Sequence, residues 1–153
     1  MNEYFSVSIF GPRQCGKTTL AKNLFPSFSY ANLEDMNVRS LAKNDPEEFF
    51  TRFPEPVIID EIQRVPELLS TVQVRIDKNQ KKGQYLITGS QQISLKSSIT
   101  QSLAGRTAIV QMLPLSILSP TSTAKRAPTG ISNVLMTLPS LSVTKMVGVL
   151  VFK

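Results

Sequence analysis

The residue types best suited to chemistry are concentrated in Gly11-Pro12-Arg13-Gln14-Cys15-Gly16-Lys17-Thr18, which meets every fixed position of the pattern G-x-x-x-x-G-K-[ST]. Glycine at both ends of that spacing lets the backbone curl until successive N–H groups face one phosphate chain, and a helix beginning where the loop ends adds positive potential. Phosphate contacts are therefore expected along Gly11, Pro12, Arg13, Gln14, Cys15, Gly16, Lys17, Thr18 and Thr19. The Lys17 ammonium is expected to act at the β- and γ-phosphates, and the Thr18 hydroxyl, in the first turn of the helix, on Mg2+. Cys15 lies beside Lys17 among the loop's donors, so its thiol, if exposed, is expected to be more acidic and reactive than a free one.

Three further groups complete the constellation. Val57-Ile58-Ile59 delivers Asp60 and Glu61 to the carboxyl end of a strand, where open α/β sheets bind ligands. Asp60 is expected to hold Mg2+ through water, and Glu61, whose side chain diverges from its neighbour's, to orient and deprotonate an attacking water. Leu86-Ile87 is followed by Thr88, Gly89, Ser90 and Gln91. If that strand lies between the other two, a polar side chain at its tip meets the terminal phosphate; Thr88, Ser90 and Gln91 all qualify, and Ser90 is preferred. Arg106, just ahead of a further apolar run, is expected to neutralise transition-state charge on the γ-phosphate, from its own chain or from a neighbouring subunit. Arg64 is the second candidate for that role.

Positioning these groups requires strands that end in loops on one side of a sheet. Phe5, Val7, Ile9 and Phe10 form an apolar run that halts at Gly11, and Leu20 and Leu24 share one face of a helix that Pro26 stops at or before Phe25. Residues 29–33 read as a second strand. Asp45 and Pro46 cap a helix whose apolar face carries Phe49, Phe50 and Phe53, ended by Pro54-Glu55-Pro56. The unbroken run at residues 57–59 suits a strand covered on both faces. Val65, Leu68, Leu69, Val72 and Ile76 have helical spacing after Pro66, Tyr85-Leu86-Ile87 is the fourth strand, and residues 108–112 are the fifth. Strands alternating with helices predict a doubly wound parallel sheet in three layers.

Composition bounds the function. The chain has 153 residues, enough for one core, and a net charge of +6. With no His and a single Cys, Ser/His and Cys/His nucleophile pairs, His-containing zinc sites and intramolecular disulfides are excluded. No secretory signal is recognised and no run suits a membrane span, so a cytoplasmic location without membrane attachment is expected. All eleven acids lie in residues 1–77, whereas residues 78–153 hold nine bases and no acid. From Ile117 onward there is no sustained periodicity. Residues 117–153 are therefore expected to form an irregular basic tail that adds nothing to the core, with one domain at residues 1–116.

GPRQCGKTTLAK, NLED at residues 32–35, IIDEIQRVPELL at residues 58–69, LITGSQ at residues 86–91 and SLAGRT with LPLS at residues 102–116 together resemble an AAA-type P-loop ATPase family of bacteria and archaea. The resemblance covers residues 5 to about 116. It implies a three-layer P-loop NTPase sandwich with a parallel five-stranded sheet in the order 5-1-4-3-2, ATP and Mg2+ as ligands, and in ring-forming relatives a homo-oligomer. In that family a C-terminal domain related to restriction-endonuclease folds usually follows, and a segment before the first strand helps cover the base. The tail is accordingly expected to be truncated or frame-shifted sequence. GTP is disfavoured because no Asn- or Thr-Lys-x-Asp pattern is present, and a small-molecule kinase because an arginine-rich lid is missing. The alternatives are a nucleotide-controlled module that touches nucleic acid through Lys78, Lys81, Lys82 and Lys96, or an inactive remnant.

Overall fold

The computed structural model describes residues 4–90, 97, 99 and 101–112, together with the backbone of residues 149–152. Its strands are β1 (Ser6–Gly11), β2 (Ser29–Asn32), β3 (Val57–Asp60), β4 (Tyr85–Ser90), β5 (Thr107–Met112) and β6 (Val149–Phe152). The helices are α1 (Lys17–Leu24), α2 (Met36–Asn44), α3 (Pro46–Arg52) and α4 (Leu68–Asn79), with a 3₁₀ turn at Ile62–Arg64. β1 to β5 are all parallel and run β2-β3-β4-β1-β5 across the sheet, the arrangement implied by the family resemblance.

The apolar runs are continuous because both faces of the sheet are covered. Val57 and Ile59 of β3, Tyr85 and Ile87 of β4 and Phe10 of β1 face one core with α3 and α4, whose Phe49, Phe50, Leu69, Val72 and Ile76 are buried. Ile58, Leu86 and Ile9, one residue out of phase, face the other core with Ala21 of α1. Removing each large apolar side chain from water stabilises the fold by about 1.5–3 kcal/mol, which ties three layers together through alternate residues of the same strands.

Local chemistry sets the helix boundaries. Asp45 accepts from the Glu48 N–H at 3.0 Å with Pro46 in the first turn, as its sequence suggests. Asp35 caps α2 in the same way, accepting from Asn37 N at 2.8 Å. That helix was not expected, because only Ala42 of its residues is fully buried and its apolar periodicity is short.

The free edge is also a correction. Residues 117–153 were expected to form an irregular tail, yet Val149–Phe152 pairs antiparallel with β5, from Ile109 opposite Phe152 to Met112 opposite Val149. An exposed edge of unpaired N–H and C=O groups accepts a β-prone strand from either direction. Residues 113–148, with most of the expected tail, lie outside the described residues, as do Gln91 and Lys96.

Candidate functional site

The order of the sheet places β4 between β1 and β3, so the carboxyl ends of these three strands meet. Ser90 lies opposite Gly11, and Asp60 ends the neighbouring β3. At the exit of β1 the backbone turns sharply: a Cβ on Gly11 would come within 2.8 Å of Cys15 Sγ and 2.9 Å of the Met112 carbonyl oxygen. Gln14 and Gly16 both take positive φ, 62° and 90°, curling the loop back toward α1. Nothing lies within 4 Å of where a Gly16 Cβ would be, so there the backbone conformation and not crowding calls for glycine. α1 begins at this glycine with no side-chain cap and no acid in its first turn. Its leading N–H groups are thereby left for a ligand.

Lys17 is 5% exposed. Its Nζ donates to the carbonyls of Gly11 at 3.1 Å and Pro12 at 2.8 Å, and among the described residues no carboxylate pairs with it. A buried ammonium met only by neutral dipoles retains most of its field. Thr18 Oγ1 donates to the Asp60 carboxylate at 2.9 Å, bringing together two hard oxygens from α1 and β3. Asp60 is itself buried and also accepts from Tyr30 Oη at 2.7 Å and from Thr88 Oγ1. Among the described residues no three acidic, Cys or His side chains cluster as an all-protein metal cage. One carboxylate beside a hydroxyl is nevertheless the donor set Mg2+ takes when phosphates supply the remaining oxygens, so the residues present fit that ion.

Glu61 follows with φ 61° and ψ 47°, a left-handed conformation that turns the chain into the 3₁₀ turn. Its N–H donates to Thr88 Oγ1 at 3.3 Å, and its carboxylate accepts from the Gln63 amide. Ser90 Oγ is buried and has no hydrogen-bond partner among the described residues. An orphaned hydroxyl at this strand tip, opposite the loop glycine, is free to meet a ligand oxygen.

One expectation needs correction, and the condition attached to another is not met. Arg106 precedes β5, and its carbonyl accepts from the Ser6 N–H at the start of β1, so it sits at the amino-terminal end of the sheet. Its guanidinium is spent on Asp77, at 2.7 and 3.0 Å, and parallel strands keep it at the far end from the phosphate loop. A role at the γ-phosphate of its own chain is thus ruled out by topology. Cys15, expected to be reactive if exposed, is 6% exposed and packs with Ile9, Ala21 and Met112, with its Sγ 4.0 Å from Lys17 Nζ, so its thiol is buried at the base of the loop. Arg64 lies on the site side and reaches Glu34 at 3.3 Å, both side chains exposed.

Tyr30 and Gln63 were missed by the sequence reading, and Thr88 was named but not preferred. Tyr30 is opposite Ile58, and its ring spans two residues along the neighbouring strand to reach Asp60. Burial, then the hydrogen bond and charge of Asp60, raise the Tyr30 hydroxyl well above its ordinary value, which keeps it a proton donor to that carboxylate. Lys22 Nζ sits 3.5 Å from the centre of its ring.

A parallel β2-β3-β4-β1-β5 sheet with this loop at the end of β1 defines a P-loop NTPase fold. A family model described as AAA domain matches residues 4–118, and the chain belongs to that family of P-loop ATPase-like proteins. It is also 32% identical over 112 residues to uncharacterized proteins of Mycobacterium bovis and Mycobacterium tuberculosis. Each match covers 72% of this chain and 25% of the relative, so the similarity concerns about a quarter of those longer proteins. Among the described residues no helix is long and apolar enough to cross a membrane.

Proposed function

We propose that this domain binds ATP with Mg2+ and hydrolyses its γ-phosphate. The observation that carries the reading is the convergence of the buried Lys17, which pairs with no carboxylate among the described residues, with the Thr18 and Asp60 oxygens at one end of the sheet. The backbone of residues 11–18 and the start of α1 bind the phosphates, and Lys17 supplies the positive charge they need. Thr18 and Asp60 hold Mg2+, with Tyr30 and Thr88 orienting the carboxylate. When bound, the ion neutralises charge on the phosphate oxygens. Glu61 orients a water and takes its proton, and the Ser90 hydroxyl meets the terminal phosphate. Arginine assistance, if supplied in the same chain, falls to Arg64 on the site side and not to Arg106.

Phosphate release measured with Mg2+ and then with a chelator tests this reading. Release should depend on Mg2+, and Glu61→Gln should slow it by about 10²-fold or more while ATP still binds. Release at the same rate with the chelator, or an unimpaired Glu61→Gln, would overturn the assignment of the metal or the base respectively.

A further inference from the structure

The Glu61 carboxylate has one side-chain partner among the described residues, and that partner has a second attachment. Gln63 Nε2 donates to Glu61 Oε2, while Gln63 Oε1 accepts from the Ser90 backbone N–H at 3.2 Å. Both ends of the amide are therefore committed, one to the acid after β3 and one to the tip of β4. Ser90 in turn lies opposite Gly11, where the phosphate loop begins. From the geometry we infer that Gln63 is a positioning residue, fixing the Glu61 carboxylate relative to the β4 tip and, through it, to the phosphate loop. The inference rests on the reading of Glu61 as the base.

The physical case begins with Glu61 itself. Its backbone is anchored by the N–H to Thr88, but a Glu side chain keeps three rotatable bonds beyond the Cα, and in a half-buried position these are not fixed by packing. The amide of Gln63 fixes them by a hydrogen bond whose other end is held by a main-chain group of a central strand. Only an amide can do both: a carboxylate in its place would still accept from Ser90 but would oppose Glu61, and an aliphatic side chain would do neither. The left-handed conformation of Glu61 turns the chain into the short 3₁₀ turn that carries Gln63 back over β4.

Gln63→Glu and Gln63→Leu separate the two ends of the amide. Both should lower kcat for phosphate release by about tenfold or more, since misplacing a reacting group costs rate without costing binding, and both should leave KM and equilibrium ATP affinity within about threefold. On a Glu61→Gln background, Gln63→Leu should add no further loss. If Gln63 only braces the β4 tip, Gln63→Glu, which keeps the Ser90 acceptor, would retain the original kcat, and that result would overturn the inference. A readout independent of turnover is the Gln63 side-chain amide resonance in a 15N-labelled sample. Glu61→Ala should shift it, and an unmoved resonance would exclude the contact even if Gln63→Leu failed to fold. Absence of phosphate release by the unmodified chain would refute the proposed hydrolysis, while the amide resonance would still decide whether Gln63 holds Glu61.

Discussion

Lys17 and Arg75 are cations at opposite ends of one sheet, and they are satisfied in opposite ways. Arg75, on α4 near the start of β4, donates to Glu55 at 2.8 Å and Glu47 at 2.7 Å, and its guanidinium lies 4.5 Å from the centre of the Phe50 ring. Tyr85 adds its hydroxyl to Glu55 at 2.7 Å, and Arg106 pairs with Asp77 nearby in the fold's amino-terminal layer. Among the described residues Lys17 meets only carbonyl oxygens and the Cys15 sulfur, and the Asp60 carboxylate meets only hydroxyls. Opposite charges in contact cancel their fields and act as struts. Charges held by neutral dipoles keep their fields, which a ligand can still use. Perturbed titration alone does not find the functional end, because Glu55 is shifted too. Although burial opposes it, hydrogen bonds from Arg75 and Tyr85 hold Glu55 below its ordinary value.

Substitutions at the two ends should therefore separate binding from stability. The largest effect belongs to Lys17→Ala, which should weaken Mg2+-ATP binding by about 10²-fold or more, because the lost hydrogen bonds are charge-assisted. Isothermal titration would measure it. An affinity within threefold of the original would remove Lys17 from the site. Asp60→Asn should follow: titrations with and without Mg2+ should show ATP affinity losing most of its dependence on the ion, while a dependence equal to the original would place the metal elsewhere.

At the other end the effects are on folding. Glu55→Gln should cost about 1–3 kcal/mol at neutral pH, the range for hydrogen bonds to a charged group, with ATP affinity unchanged. Its pH dependence has a definite sign. A carboxylate whose folded-state value lies below the ordinary 4.5 adds stability above that pH and loses it as the pH falls through the depressed value. Urea melts should thus show the difference between Glu55→Gln and the original protein shrinking below pH 4.5, and a difference that grows in acid would contradict the pairing. The smallest effect is expected for Arg106→Ala. Its partly exposed pair with Asp77 should contribute about 0.5–1 kcal/mol, and phosphate release should be unchanged. A large loss of release would restore a role from a neighbouring subunit.

What the sequence made legible follows from how local each signal is. The phosphate loop is read from eight adjacent residues, and the β3 run announces both its burial on two faces and its terminal acids. The five parallel strands are visible because each is a short apolar run between breakers. Their left-to-right order is not local, and it was reached through the family resemblance. Arg106 was misplaced for the same reason: proximity to a strand does not say which end of the sheet it joins until the strand's direction is known. Tyr30 and Gln63 act across strands, through register and a reversed 3₁₀ turn, so their residue types carried no distinctive pattern. The condition set on Cys15 could not be decided from sequence, because a loop residue can still turn its side chain inward, here against Gly11 and Met112.

Thermal melts of the original chain, Lys17→Ala and Glu55→Gln, each with and without Mg2+-ATP at 100 times the original Kd, compare the two ends in one measurement. The original should gain about 2.7 kcal/mol from ligand, or roughly 5–10 °C for a domain of this size. Glu55→Gln should start lower and gain as much, whereas Lys17→Ala should start near the original and gain almost nothing. An equal ATP-induced shift in Lys17→Ala, or its loss in Glu55→Gln, would contradict the assignment of binding to the carboxyl end and of structural pairing to the other.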